Sequence, residues 1–436
     1  MPPSRDSNPV HRIRHSLTAH RSRHRSAAHA SAHADDTADL PPLPDHLSVP
    51  IGNPILVQSD DELTEMISAV RAAGRFAYDS EFIGESTYHP QLCLVQVATD
   101  RDIWLIDPLL PVDLKPFWDL VIDPSLLKIV HAGEQDLEPA TRHTGKPCSN
   151  VFDTQIAAGF AHMAYPVALA KLVSALLGVQ LAKALTFTQW DARPLTGKQL
   201  RYAADDVRYL CAVYDALKLR IGQSPRWQYV LDECASRCRP DRWTVDVEID
   251  APRVRGAGTL DGRGFAILKR LFIWRDQAAL QDNLPPRALL KDETLIDLAR
   301  RHPKTIERLR DIRGIPRPVI EQHGPALLQH IADGLSQPVA PMEKLIDPTP
   351  VERFQIDALH AAAHLICATQ GIDAALAATR NDVAEFFRAR TEGQSIDALP
   401  LMQGWRAEVV GRPLVEFLKG KSLHADAGSL RAGGDA

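Results

Sequence analysis

From residue 54 to about residue 220 the chain alternates short apolar runs with amphipathic stretches, and the spacing of the apolar positions switches between helical and extended. Over 60–73, Leu63, Ile67 and Val70 recur on one face, which predicts a helix. The run Phe76-Ala77-Tyr78-Asp79-Ser80-Glu81-Phe82 reads as a strand. Residues 91–98 and 102–107 read as two more, in an antiparallel meander with turns near Pro90 and Asp100. Residues 127–131 form another short strand, followed by a helix from about Glu134, and Val151-Phe152 leads into a helix near Asp153. One long helix is expected over 196–219, with Thr196 as its N-cap. This order predicts an α/β domain with a mixed sheet flanked by helices.

Residues 239–264 have little periodicity and read as a linker. Beyond them the pattern is helical: 265–281 and 291–300 are amphipathic, and 305–310 is followed by Gly314-Ile315-Pro316. A proline-bearing break over 337–350 precedes a second helical block that runs to about Lys421. The first 48 residues are rich in Arg, His, Ser and Ala and poor in large apolar groups, so a disordered tail is expected there, with a basic nucleic-acid arm or a transit peptide as alternatives. The expected division is a tail (1–48), an α/β domain (49–245), two helical domains (246–336 and 337–424) and a flexible end (425–436).

A chain of 436 residues accommodates such a set of domains. No stretch approaches the roughly 20 apolar residues needed to span a bilayer, so no membrane association is expected. The six cysteines (Cys93, Cys148, Cys211, Cys234, Cys238 and Cys367) complete no zinc spacing and suit a reducing cytoplasm. The formal charge of −5 is unevenly placed, because residues 1–33 hold six Arg against Asp6 and leave −10 on the remainder. An acidic total does not exclude a phosphate-bearing partner when the carboxylates gather around cations.

The candidate chemistry begins on the strand. Asp79 and Glu81 are two apart, so their side chains share a face, while Phe76, Tyr78, Ser80 and Phe82 take the other. Two neighbouring carboxylates in an apolar strand repel each other and are costly to desolvate, and a divalent cation between them removes that cost. Two acids solvated on an edge strand are the plain alternative. Asp136 falls in the first turn of the helix after the 127–131 strand, where an acid is often only a dipole contact. Tyr202 and Asp206 are four apart and share a helix face. The same spacing favours Asp206 over its neighbour Asp205 as the functional carboxylate. Carboxylate oxygens suit Mg²⁺ or Mn²⁺, and phosphodiester hydrolysis commonly uses two such ions.

These segments resemble a known family. Asp79-Ser80-Glu81-Phe82, His131-Ala132-Gly133-Glu134-Gln135-Asp136 and Tyr202-Ala203-Ala204-Asp205-Asp206 look like the three exonuclease motifs of ribonuclease D, in the tyrosine branch of the proofreading-exonuclease superfamily. Tyr88-His89-Pro90-Gln91-Leu92, Phe152-Asp153-Thr154-Gln155 and Trp190-Asp191-Ala192-Arg193-Pro194-Leu195 add to the likeness, which covers about residues 50 to 220. Phe272-Ile273-Trp274-Arg275, Asn283-Leu284-Pro285-Pro286-Arg287 and Leu309-Arg310-Asp311-Ile312-Arg313-Gly314 resemble the HRDC domain (helicase and RNase D C-terminal), and residues 350–421 occupy the place of a second copy. Residues 252–335 carry 15 Lys/Arg against 10 Asp/Glu, a surplus suited to an RNA backbone.

The resemblance implies a ribonuclease H-like α/β exonuclease domain with a mixed five-stranded sheet, followed by two all-α HRDC-type domains. It implies a 3′→5′ exoribonuclease that releases nucleoside 5′-monophosphates. The catalytic residues would be Asp79, Glu81, Asp136, Tyr202 and Asp206, the four acids holding two divalent ions, Mg²⁺ or Mn²⁺. Phe82, His131, Lys183 and Arg193 would contact the substrate, RNA with a free 3′ end and typically a tRNA precursor. A cytoplasmic location and no obligate protein partner are expected. Thr188-Gln189 and Ala184 depart from the family's usual Ser-Asp and Ser, which touches RNA preference more than the reaction. A DNA 3′→5′ exonuclease and a non-catalytic nucleic-acid-binding protein are the alternatives.

Overall fold

A computed structural model describes residues 49–84, 86–182, 189–337 and 348–419. The expected tail (1–48), the end beyond 419 and most of the 337–350 break lie outside the described residues. Among the described residues, β1 (Ile55–Val57), β2 (Arg75–Ile83), β3 (Gln91–Ala98), β4 (Ile103–Ile106), β5 (Leu127–Val130) and β6 (Val151–Asp153) form one sheet, ordered β1-β4-β3-β2-β5-β6. The meander of β2, β3 and β4 is antiparallel, while β1 on β4, β5 on β2 and β6 on β5 pair in parallel. The sheet is mixed, with six strands where five were expected. The extra strand, β1, is a three-residue edge, too short for periodicity to register.

Alternation along the strands sorts side chains to two faces. Phe76, Tyr78, Val95, Val97 and Trp104 project to one face, beneath α1 (Asp60–Ala73), α2 (Lys115–Ile122) and α3 (Glu134–Thr144). Helix α1 starts where the Ser59 hydroxyl accepts the Glu62 amide and stops at Gly74, whose φ of 73° ends the helix without strain. The other face carries α4 (Thr154–Gly159), α5 (Leu169–Leu177), α6 (Gly197–Arg208), α7 (Leu210–Ile221) and α8 (Arg226–Arg237). The single helix expected over 196–219 is two, broken at Tyr209. The break lets α6 lie across β2, β3 and β4 while α7 follows β2 and β5. Both halves keep the apolar period, so the pattern alone does not register the bend.

Next come α9 (Gly262–Asp282), α10 (Asp292–Arg301), α11 (Ile306–Arg310) and α12 (Arg317–Ser336), which enclose a core of their own around Leu268, Leu271, Leu295, Leu298, Leu327 and Ile331. Helices α9 and α12 meet closely at Gly334, where a Cβ would stand 2.8 Å from the Ile267 Cα. The segment expected to be a plain linker joins this core through Val254, Ala257 and Leu260. Tyr88, in the β2–β3 connection, docks on α9: its hydroxyl donates to Asp276 (2.7 Å) and its amide to Asn283 (3.2 Å).

The last block, α13 (Pro350–Thr369), α14 (Arg380–Thr391) and α15 (Arg412–Leu418), returns to the α/β domain. Leu359, Ile366, Phe386, Leu401 and Leu414 share one apolar cluster with Phe152, Phe160, Leu172 and Leu217. The seam is pinned by Glu233, whose carboxylate accepts from Arg237 (2.9 Å), Arg406 (2.8 Å) and the Trp405 indole (3.2 Å). Burial opposes ionisation of this side chain, but the hydrogen bonds and charges of Arg406 and Arg237 outweigh it and hold the carboxyl below its ordinary range. Among the described residues, no helix is long and apolar enough to cross a membrane.

Replacing Glu233 by alanine strands two guanidinium groups at a buried seam. It should destabilise the protein by about 3 kcal/mol, read as a lowered urea midpoint. Because the folded pKa is depressed, the contribution is present above the unfolded carboxylate pKa of about 4.5 and is lost as the pH falls below it.

Candidate active site

Strand β2 carries Asp79 and Glu81 on the face covered by α6, and α6 presents Tyr202 and Asp206 one turn apart toward them. Thr196 fixes where α6 begins through a reciprocal capping box with Gln199. Asp79, Glu81 and Asp206 each offer a carboxylate oxygen, and these atoms lie within 4.8 Å of one another. Asp205 turns the other way, accepting from Arg201 (2.7 Å) and from the buried Arg208 (2.8 Å), whose guanidinium also holds the Pro50 carbonyl (2.6 Å). Of the adjacent pair, Asp206 joins the cluster and Asp205 ties α6 to the start of the domain.

Asp136 enters from the first turn of α3. The turn before it is set by Asp153, whose carboxylate accepts the Ala132 (3.0 Å) and Gly133 (3.2 Å) amides while capping α4. Ala132 takes a positive φ of 55°, and a Cβ on Gly133 would stand 2.5 Å from the Val130 Cβ, so the turn is tight against β5. The Asp136 carboxylate accepts the Ser80 hydroxyl, and its carbonyl accepts the Tyr78 hydroxyl at 2.6 Å. Asp136 is therefore beside the three-carboxylate group rather than within it. Ser80 and Asp153 were not among the expected site residues. Ser80 was assigned to the far face of β2, and the reach of Asp136 around that strand has no signature in the sequence. Asp153 sits in a family-like segment, and an Asp opening a helix after a strand was its available signal.

Asp79, Tyr202 and Asp206 line a cleft of about 190 Å³ with His131, Leu169 and Leu210. Both ring nitrogens of His131 are engaged, Nδ1 with the Thr154 hydroxyl (2.9 Å) and Nε2 with the Val167 carbonyl (3.0 Å). Phe82 is half-buried just past a β-bulge, where β3 gains Cys93 opposite the Glu81–Phe82 step. Lys183 lies outside the described residues, as do Ala184 and Thr188. Arg193 is committed to the protein: it forks onto Asp107 (2.6 and 2.8 Å) and donates to the carbonyls of Trp190 (2.7 Å) and Cys93 (2.7 Å).

The electrostatics match a cation site. Burial, followed by the charges of Asp79 and Asp136, pushes the Glu81 carboxyl up to about 8. Burial pushes Asp136 up to about 6 against the opposing Ser80 hydrogen bond. Asp79 and Asp206 are driven well above the carboxylate range, first by burial and then by the neighbouring acids. Burial and the charge of Asp206 raise the Tyr202 phenol too, which keeps it a proton donor at neutral pH. Acids that repel one another this strongly, with hard oxygen donors converging, fit a divalent cation.

The chain is similar to known proteins. The family model described as 3′-5′ exonuclease matches residues 54–222, and the HRDC domain model matches residues 264–331. The ribonuclease D of Bartonella henselae is 32% identical over 371 residues, 84% of this chain and 90% of that protein. This chain belongs to the ribonuclease D family. The ribonuclease D of Gluconacetobacter diazotrophicus is 32% identical over 85% of this chain and 94% of its own length. The crystal structure of Escherichia coli RNase D, described as an exoribonuclease involved in structured RNA processing, superposes with a TM-score of 0.74 at 31% identity, covering 85% of this chain and all of that one. The protein is accordingly a 3′→5′ exoribonuclease that acts on RNA, with an exonuclease domain of a divalent-metal-dependent kind.

The raised carboxyls in this ribonuclease D give a signed expectation. A folded pKa above the unfolded one favours the folded state fully below the unfolded value of about 4.5, and that contribution is lost as pH rises through about 8 for Glu81. With a chelator present, the melting temperature should fall between about pH 4.5 and about pH 8. Glu81→Gln should flatten that fall, raise the metal-free melting temperature at the upper pH and abolish turnover. Thermal scans across pH with and without chelator measure it, and an unchanged profile in Glu81→Gln would contradict the assignment.

Proposed function

We propose that this ribonuclease D holds two divalent ions, Mg²⁺ or Mn²⁺, on Asp79, Glu81, Asp136 and Asp206, and trims the 3′ ends of structured RNA, tRNA precursors foremost. The observation that carries the reading is the convergence of Asp79, Glu81 and Asp206 oxygens within 4.8 Å, with Tyr202 one turn before Asp206. When bound, the ions supply an acidified water and neutralise charge at the leaving 3′-oxygen. Asp79, Glu81 and Asp206 would hold the ion that acidifies the water, and Asp79 with Asp136 would hold the ion that neutralises charge at the leaving oxygen. Tyr202 keeps its proton, so it orients the attacking water by hydrogen bonding rather than deprotonating it. Products are nucleoside 5′-monophosphates.

Phe82 and His131 form the wall for the terminal nucleotide, the latter as a ring clamped by Thr154 and Val167. Lys183 remains a proposed substrate contact. We assign Arg193 a structural part, because its donors already face protein acceptors. Residues 49–245, 246–336 and 337–424 are read as the exonuclease domain, the HRDC domain and a second HRDC-like domain. The likeness to bacterial relatives and the buried free cysteines support a cytoplasmic enzyme without an obligate partner.

The test is a gel assay with 5′-labelled tRNA precursor, short RNA and DNA, with and without Mg²⁺ or Mn²⁺. Metal-dependent stepwise shortening of RNA is expected, and preference for DNA would move the protein to the DNA exonucleases. Tyr202→Phe should fold and bind metal as the wild type does, but lose about 10²- to 10⁴-fold in single-turnover rate. An unchanged rate would remove Tyr202 from the mechanism.

The HRDC domain supplies the grip. Arg263, Arg301, Lys304, Arg310 and Arg313 are exposed and form no salt bridge among the described residues, whereas Lys269 pairs with Glu248 and Arg270 with Asp333. Replacing Lys304, Arg310 and Arg313 together by alanine should weaken tRNA-precursor binding. On single-stranded RNA it should reduce the dependence of log affinity on log salt by roughly 0.7 per lost contact. Turnover of a short RNA at saturation should not change. Filter binding over a salt series measures this, and an unaltered slope would leave the domain without an RNA-binding role on that face.

A further inference from the structure

Gln96, in the middle of β3, is wholly buried, and neither its carboxamide oxygen nor its nitrogen has a hydrogen-bond partner among the described residues. Across the sheet it stands opposite Asp79 of β2 on one side and Leu105 of β4 on the other. Residues directly opposite on antiparallel strands project to the same face, so Gln96 and Asp79 are neighbours in one row beneath α6. The row below holds Ile103, Ala98 and Ala77, part of the large apolar cluster, and Leu94 and Leu105 belong to a second apolar cluster with Ala203 of α6. The amide is thus wedged between two apolar clusters, and the polar side chain beside it in the row is the Asp79 carboxylate.

A buried donor and acceptor left unmet are unfavourable, and methionine would fill the space without them. Carboxylates that hold a metal are themselves hydrogen-bonded by neighbours that fix their orientation. The Ser80 amide serves Asp79 on the strand side. We propose that Gln96 is a positioning residue: its amide, unpaired in this structure, turns its Nε2–H group to the Asp79 carboxylate when that carboxylate holds a metal ion, and so fixes the direction in which it presents its oxygens. The inference rests on the reading of Asp79 as a metal ligand. It makes β3, which supplies no ligand, part of the site, and it explains why an amide occupies an otherwise apolar layer.

The experiment follows Mn²⁺-induced thermal stabilisation without RNA, comparing the wild type with Gln96→Met. The variant should melt no lower than the wild type in chelator, since it removes two unmet polar atoms. Its half-saturating Mn²⁺ concentration should rise by roughly 10-fold or more, the usual effect of losing a group that orients a ligand. Its KM for a short RNA should be unchanged. A shifted metal-free melting temperature with unaltered Mn²⁺ half-saturation would mean that Gln96 is only structural and would overturn the proposal. Absence of Mn²⁺ stabilisation in the wild type would instead sink the reading of the carboxylate cluster. Should Gln96→Met fail to fold, a crystal structure of the wild type with Mn²⁺ decides the matter: Gln96 Nε2 within hydrogen-bond distance of an Asp79 oxygen supports the proposal, and an amide paired elsewhere overturns it.

Discussion

Three part-buried carboxylates that repel one another are the constraint around which this fold is arranged. Such a group persists only if rigid elements on both sides resist its separation. Strand β2 provides one side, held between antiparallel β3 and parallel β5. Helix α6 provides the other, its start fixed by the Thr196–Gln199 box and its far end by the Asp205–Arg208 pair reaching back to Pro50. Asp136 comes from a third element, α3, and is bound to β2 from the opposite face through Ser80 and Tyr78. The carboxylates are thus spread over elements far apart in sequence, and each is anchored by contacts outside the group itself.

The sequence made the main elements legible where the pattern was strong. Alternation on β2 placed Asp79 and Glu81 on one face, and the four-residue step placed Tyr202 with Asp206. What it missed has physical causes. The three residues of β1 are too few to show a period. The bend at Tyr209 leaves the apolar stripe of α6 and α7 uninterrupted, because it answers to the sheet beneath rather than to a local breaker. Arg193 was expected to contact the substrate, and its fork onto Asp107, a partner 86 residues away, is a contact that no local rule reveals. Gln96 looked like an ordinary strand residue, and only its register against Asp79 gives it interest.

The helical regions were recognised as such, but their allegiance was not. Residues 262–336 make a core of their own and touch the exonuclease domain through Tyr88, which hangs from the connection that follows strand β2, the strand of Asp79 and Glu81. Residues 350–418, expected to belong to a second HRDC-like domain, share the apolar core beneath α4, α5 and α7. Helical periodicity reports which face is buried and not against what, so two blocks with the same pattern can have different structural parts.

The return of the last block has a consequence for how the enzyme meets a long substrate. The HRDC domain is a bulge in a closed path, covalently joined to the catalytic domain at both ends and docked on it through Tyr88. Anchoring at two points limits how far the domain can move from the exonuclease domain, so the two stay at a high local concentration of each other without any added contact. A nucleic-acid-binding domain held in this way cannot diffuse away from the exonuclease domain, and that follows from chain connectivity alone.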